Sequence, residues 1–271
     1  MSSDLSVVLL DSPELTEELE ENYTKIFHAK SLKDLVRILI DRNIDLIILS
    51  SKFKDYTKLS KIYNQYKVPF FTQQSEIENS MFLNYVSGMT LTQNLKSNHS
   101  LIYTHRVERK NQSLLYIMKN LSEYTEQVIH ATKDLYIAES KGYFKKNFNI
   151  KNCHWIEVKN LSSKLPPILK LKQELEAQKV DQSSLLADID NCTSEVVHNE
   201  EFQIWKDVSG HYMVFIWIPD QDMKMQCIVL NQLKLHKRFE MEEFLFRLMP
   251  FLSRRWKLTQ VVAEAQSQIY K

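Results

Sequence analysis

Four small polar residues stand where runs of apolar residues end. Val7-Val8-Leu9-Leu10 runs into Asp11 and Ser12, Leu46-Ile47-Ile48-Leu49 into Ser50, and the segment from Val68 into Thr72. If those runs are strands of one parallel sheet, Asp11, Ser12, Ser50 and Thr72 gather at its C-terminal edge, where ligands of such sheets usually sit. One carboxylate among three hydroxyls is a poor magnesium site, because oxygen ligands gather that ion by charge. Two readings stay open for the four residues. They are polar strand ends, or they line a pocket or docking face that takes something other than phosphate. The thiols and imidazoles offer less. Cys153 and His154 are adjacent in an expected strand, so their side chains would point to opposite faces and make a poor metal pair. Trp155, Trp205, Trp217 and Trp256 read as core or rim residues.

Composition removes several function classes. The chain has 271 residues, enough for one large domain or two ordinary ones. It contains 3 glycines, too few for a phosphate-cradling loop or a dinucleotide fingerprint. The net charge of +1, with both signs mixed throughout, points away from nucleic acid. The 3 cysteines, Cys153, Cys192 and Cys227, form no close pair, and an odd count argues against a disulfide framework, so a cytoplasmic location is expected. No leader-like segment and no bilayer-spanning run is evident, so no membrane insertion is expected.

Over the first 97 residues, short apolar runs alternate with amphipathic stretches, as in a parallel sheet crossed by helices. Strands are expected at Val7–Leu10, Ile26–Ala29, Leu46–Leu49, Val68–Thr72 and Met89–Thr92. Ser31 caps a helix carrying Leu32, Leu35, Val36, Leu39 and Ile40, and Gly88 turns the chain before the last strand. This order resembles the receiver domain of response regulators, a flavodoxin-like, doubly wound α/β fold. In that family the third strand ends in an aspartate that accepts a phosphoryl group, and here Ser50 stands in its place. The resemblance also implies paired acids after the first strand, where this chain has Asp11-Ser12, and a hydroxyl residue after the fourth, which Thr72 matches. The family's lysine-proline pair after the fifth strand is absent. The implied domain is a pseudo-receiver that cannot form the acyl phosphate.

Residues 98–143 contain no proline and no glycine before Gly142. Val107, Leu114, Leu121, Val128 and Leu135 recur every seventh residue, with Ile117, Tyr124, Ala131 and Ala138 between them. That pattern predicts one long helix whose a/d stripe pairs with a second copy in a parallel homodimer.

Residues 144–271 change character. Strands are expected at Cys153–Val158, Glu201–Lys206, Tyr212–Ile218 and Met225–Leu230, the last two joined by a turn at 219–222. Ile168–Lys179 and Ser183–Asp190 are expected to be helical or partly ordered. A closing helix runs from Glu240 to Tyr270, with Pro250 as a bend. A helix entering an antiparallel sheet and a helix leaving it make an α+β domain. The pattern, carried mainly by Trp217-Ile218-Pro219 and the closing helix, resembles a GAF domain, without a tetrapyrrole or cyclic-nucleotide motif. Arg247, Arg254, Arg255 and Lys257 on the closing helix form either a solvated basic face or a partner surface.

Together these readings imply a bacterial, non-catalytic signalling adaptor or scaffold. It would need no cofactor or metal and would act as a homodimer on other signalling proteins. The alternative is a sensor of a nucleotide or metabolite held by the GAF-like domain.

Overall fold

The computed structural model describes residues 3–20, 23–50, 53, 55–73, 81–148, 150, 152–159, 167–177, 183–220, 224–233, 235 and 237–269. The chain divides into two compact units. One comprises residues 1–116 with 237–240, and the other residues 117–236 with 241–271.

The first unit opens with β1 (Ser3–Leu10), a short 3-10 turn and α1 (Thr16–Glu20), followed by β2 (Tyr23–Ala29), α2 (Leu32–Asp41), β3 (Leu46–Leu49), α3 (Tyr56–Tyr66) and β4 (Phe70–Phe71). The strands form a parallel sheet in the order β2-β1-β3-β4. Alternate residues explain why helices cover both faces. Val8, Leu10, Ile47, Leu49 and Phe70 pack with Leu35 and Leu39 of α2 and with Leu59, Ile62 and Tyr66 of α3. Val7, Leu9, Leu46, Ile48 and Phe71 pack with Leu19 of α1 and with Leu91, Leu95 and Ile102 further along the chain. Sandwiched in this way, Val7–Leu10 and Leu46–Leu49 are apolar throughout, which is what made them visible in the sequence.

The expected fifth strand at Met89–Thr92 is not formed. Thr90 is instead the N-cap of α4 (Leu91–Ser97), with a reciprocal capping box to Gln93. Beside β4 the sheet is continued by a single bridge, Phe70 to Phe82. Gly88, at φ +86°, does turn the chain, but into a helix. The buried Asn94 amide fixes that turn, accepting from the Val86 N–H at 2.7 Å and donating to the Val86 and Met89 carbonyls.

Next comes α5 (His99–Gln127), which begins in the first unit and ends in the second. The continuous helix expected through residue 143 stops at Gln127, and α6 (Lys133–Phe148) starts afresh. Two side chains hold the break with three hydrogen bonds. Glu139 accepts from the backbone N–H groups of Ile129 at 3.0 Å and His130 at 3.1 Å, and Arg255 donates to the Ile129 carbonyl at 3.3 Å.

The second unit continues with β5 (Asn152–Val158), α7 (Pro167–Ala177), α8 (Ser183–Asp190), β6 (Cys192–His198), β7 (Phe202–Asp207), β8 (Tyr212–Pro219), β9 (Met225–Leu233) and α9 (Arg238–Ile269), with Pro250 inside α9. Its sheet is antiparallel in the order β5-β9-β8-β7-β6. The strand β6 was not anticipated, and the turn expected at 219–222 falls partly outside the described residues. On one sheet face Ile156, Val158, Met213, Phe215, Trp217, Cys227 and Val229 pack against Leu171 and Leu175 of α7 and Leu185 and Ile189 of α8. Trp155 belongs to a different aromatic group, lying 5.6 Å from the rings of both Tyr136 and Trp256.

Among the described residues, no helix is long and apolar enough to cross a membrane.

Candidate functional site

Two places in the molecule are candidates, the C-terminal edge of the parallel sheet and one face of α5. At the edge, the end of β1 is tied to the end of β3 through one carbonyl. Leu10 O accepts the Ser12 hydroxyl at 3.1 Å and the Ser50 N–H at 3.2 Å. Ser12, Ser50 and Thr72 are all buried. The fourth expected member behaves differently. Asp11 is exposed, and its backbone sits in the left-handed region at φ 54°, held by its N–H donating to Ala29 O at 3.0 Å. The edge therefore presents three buried neutral hydroxyl residues, with the one acid turned out of their burial.

Such an edge can donate and accept hydrogen bonds. A serine hydroxyl can form a phosphate ester, but it cannot form the mixed anhydride that a carboxylate forms, and as a nucleophile it needs an adjacent base. Among the described residues, no group of three or more His, Cys, Asp or Glu side chains is placed to hold a metal ion. Incubation with acetyl phosphate and magnesium is expected to leave the intact mass of the protein unchanged. A stoichiometric phosphoryl adduct mapped to the N-terminal unit would refute this.

The second candidate is α5, and it was only half legible. Its inward side in the first unit carries Ile102, His105, Arg109 and Ser113, three of them polar and all buried. Arg109 donates from Nη2 to Asp45 Oδ1 at 2.7 Å, while Asp45 Oδ2 accepts the Ser6 N–H at 3.0 Å. Ser113 donates to Glu240 at 2.7 Å. Burial pushes the His105 imidazole below its ordinary range; Glu108 pulls it back up and Arg109 adds to the lowering. The outward side is mixed, but it exposes large apolar residues. Tyr103 is 57% exposed, Val107 38%, Leu114 43% and Leu115 70%. Along this stretch, then, polar residues are buried while several large apolar residues lie exposed among polar neighbours such as Glu108, Lys110 and Gln112.

The stripe expected to form a dimer seam is divided by the fold. Val107, Leu114 and Leu135 are exposed, whereas Ile117, Leu121, Tyr124 and Val128 are buried within a single chain. Tyr124 shows how. Its ring lies 5.0 Å from Tyr143, and its hydroxyl is within 3.2 Å of Tyr136 Oη and 3.3 Å of Ser140 Oγ. Burial raises its pKa to about 12, so it stays a neutral hydrogen-bonding group.

The basic residues of α9 do not act together. Arg247 pairs with Glu243 one turn away, and Arg255 holds the α5–α6 break. Arg254 and Lys257 are exposed. The three thiols are pushed up by burial, Cys153 to about 12 and Cys192 to about 11, which keeps them protonated and unreactive at neutral pH.

Comparison with known proteins adds no name to this geometry: no protein-family model matches the chain, and no curated protein matches its sequence.

Proposed function

We propose that this protein is a non-catalytic bacterial signalling adaptor or scaffold of the cytoplasm. In this reading a phosphorylation-incompetent receiver-like domain and a GAF-like domain are joined through α5, and the protein acts by binding other proteins, as a homodimer. The observation that carries the reading is the set of large apolar residues exposed on α5 over a buried polar side. Exposed Val107, Leu114 and Leu115 gain by leaving water, and the buried ion pair beneath them holds the helix so that they stay outside.

The finer fold assignment has its own support. In the first unit, helices flank both faces of a parallel sheet with order β2-β1-β3-β4, and Phe82 adds a trace of a fifth strand beside β4. In the second, the first strand pairs with the last, and helices lead into and out of the sheet. The neutral hydroxyl edge suits a receiver-like domain that docks rather than switches. The face of the second sheet beneath α7 and α8 is filled by Phe215 and Trp217, stacked 6.3 Å apart, and this favours an adaptor over a small-molecule sensor.

The reading is tested by replacing Leu114 and Leu115 together with glutamate. Both are exposed, so circular dichroism should be unchanged while binding to self and to partner proteins is lost. Wild type and variant with the same sedimentation profile and the same co-purifying proteins would defeat the proposal.

A further inference from the structure

The outward row of α5 has a register of its own. Thr104, Val107, Asn111, Leu114 and Met118 follow one another at alternating spacings of three and four residues. All five are exposed, and none is charged. In a heptad, Thr104, Asn111 and Met118 take one of the two seam positions, and Val107 and Leu114 take the other. This seam is rotated from the one expected above, because Ile117 and Tyr124, which belonged to that stripe, are used inside the chain.

We infer that this row docks a second copy of the same chain, parallel and in register, with Asn111 facing Asn111 across the seam. The inference rests on the protein–protein reading given above and names its surface and its partner.

Asn111 is what selects the occupant. A carboxamide carries both donors and acceptors, so it is complementary to itself. Against a foreign apolar helix its polar atoms would be buried unpaired. Against its own copy in register they are satisfied. A single asparagine at an inner seam position is also the feature that fixes register and strand number in paired helices, at a cost in stability. The neighbouring charges agree with this arrangement. Glu108 and Lys110 flank the row, and in a parallel pair Lys110 faces Leu115 of the second copy while Glu108 faces its Tyr103. Like charges are therefore not opposed.

Cysteine cross-linking tests the geometry. The Val107→Cys chain alone and the Leu114→Cys chain alone should each become mostly covalent dimer under mild oxidation. The Gln112→Cys chain, substituted away from the row, and the wild type should not; the native Cys153 and Cys227 are buried. Asn111→Leu should associate more tightly and lose its single oligomeric state. Cross-linking only when the Val107→Cys and Leu114→Cys chains are mixed would mean antiparallel pairing and would overturn the register. A wild type that sediments as a monomer at micromolar concentration would overturn the second copy as occupant, while the adaptor reading could still stand on other partners. A dimer that survives Leu114→Glu would lie on another face and would overturn this inference, leaving the homodimer in place.

Discussion

Arg109→Ala is expected to destabilise the N-terminal unit by about 3–5 kcal/mol, the cost of leaving one member of a buried ion pair without its partner. Asp45 is 3% exposed immediately before β3, and its carboxylate is shared among the Ser6 N–H at 3.0 Å, Arg109 at 2.7 Å and Arg106 at 3.6 Å. Arg106 is more open to solvent and sits further away, so it compensates only in part and places the effect toward the lower end. Asp45→Ala should be at least as damaging, because it strands the Arg109 guanidinium, whose Nη1 already lacks a partner among the described residues. The double variant Asp45→Leu/Arg109→Met should recover most of the loss, since an apolar pair of similar volume avoids the desolvation of both charges. The protein supplies its own control. All four tryptophans, Trp155, Trp205, Trp217 and Trp256, belong to the second unit. Urea unfolding followed by circular dichroism should shift in Arg109→Ala, while the tryptophan fluorescence transition holds. A shift below about 1 kcal/mol would place the pair in the class of solvent-screened surface bridges and remove the argument.

Trp217→Ala is expected to cost the C-terminal unit about 3–5 kcal/mol, the range for truncating a large aromatic in a packed core. Trp217 is fully buried on β8, stacked on Phe215 and enclosed by residues of α7 and α8. Its indole N–H has no hydrogen-bond partner among the described residues. The side chain therefore contributes by volume and area alone. Trp217→Phe should cost much less, about 1 kcal/mol, because it keeps the ring and removes an unpaired buried donor. Circular dichroism melts of the two variants separate these outcomes. Equal losses would mean that the indole nitrogen makes a contact that matters, and the filled face would then need another account.

The central stretches Val7–Leu10 and Leu46–Leu49 could be read from sequence because they are buried on both faces and apolar throughout, whereas the edge strand β2, with Lys25 and His28 exposed, gave a weaker apolar signal. A different pattern, alternation, misled at Met89–Thr92. There an alternating Met-Thr-Leu-Thr looked like a strand, while the stronger local signal, Thr90 followed three residues later by Gln93, was a helix cap. The break between α5 and α6 left a similar trace in Thr132, ahead of Asp134 in the first turn of α6. The strand β6 left little trace, since most of its side chains are exposed and carry no apolar alternation. At the site, Ser12, Ser50 and Thr72 are buried just after β1, β3 and β4. The exposure of Asp11 depends on a left-handed backbone that no residue type announced. The seven-residue period of α5 was plain, but a period cannot say which side the rest of the protein covers. That was decided by Asp45, 64 positions away from Arg109.

The strand β6 has a further consequence. It forms one edge of the five-stranded sheet, and its pairing with β7 slips twice, between Cys192 and Ser194 and between Glu195 and Val197. Each slip tilts the outer row of amides and carbonyls, so a strand from a neighbouring molecule could match it for only a residue or two before losing step. Glu195, beside His198 at 2.8 Å, adds charge to the same stretch. An edge spoiled in this way resists the edge-to-edge stacking that turns open sheets into fibres.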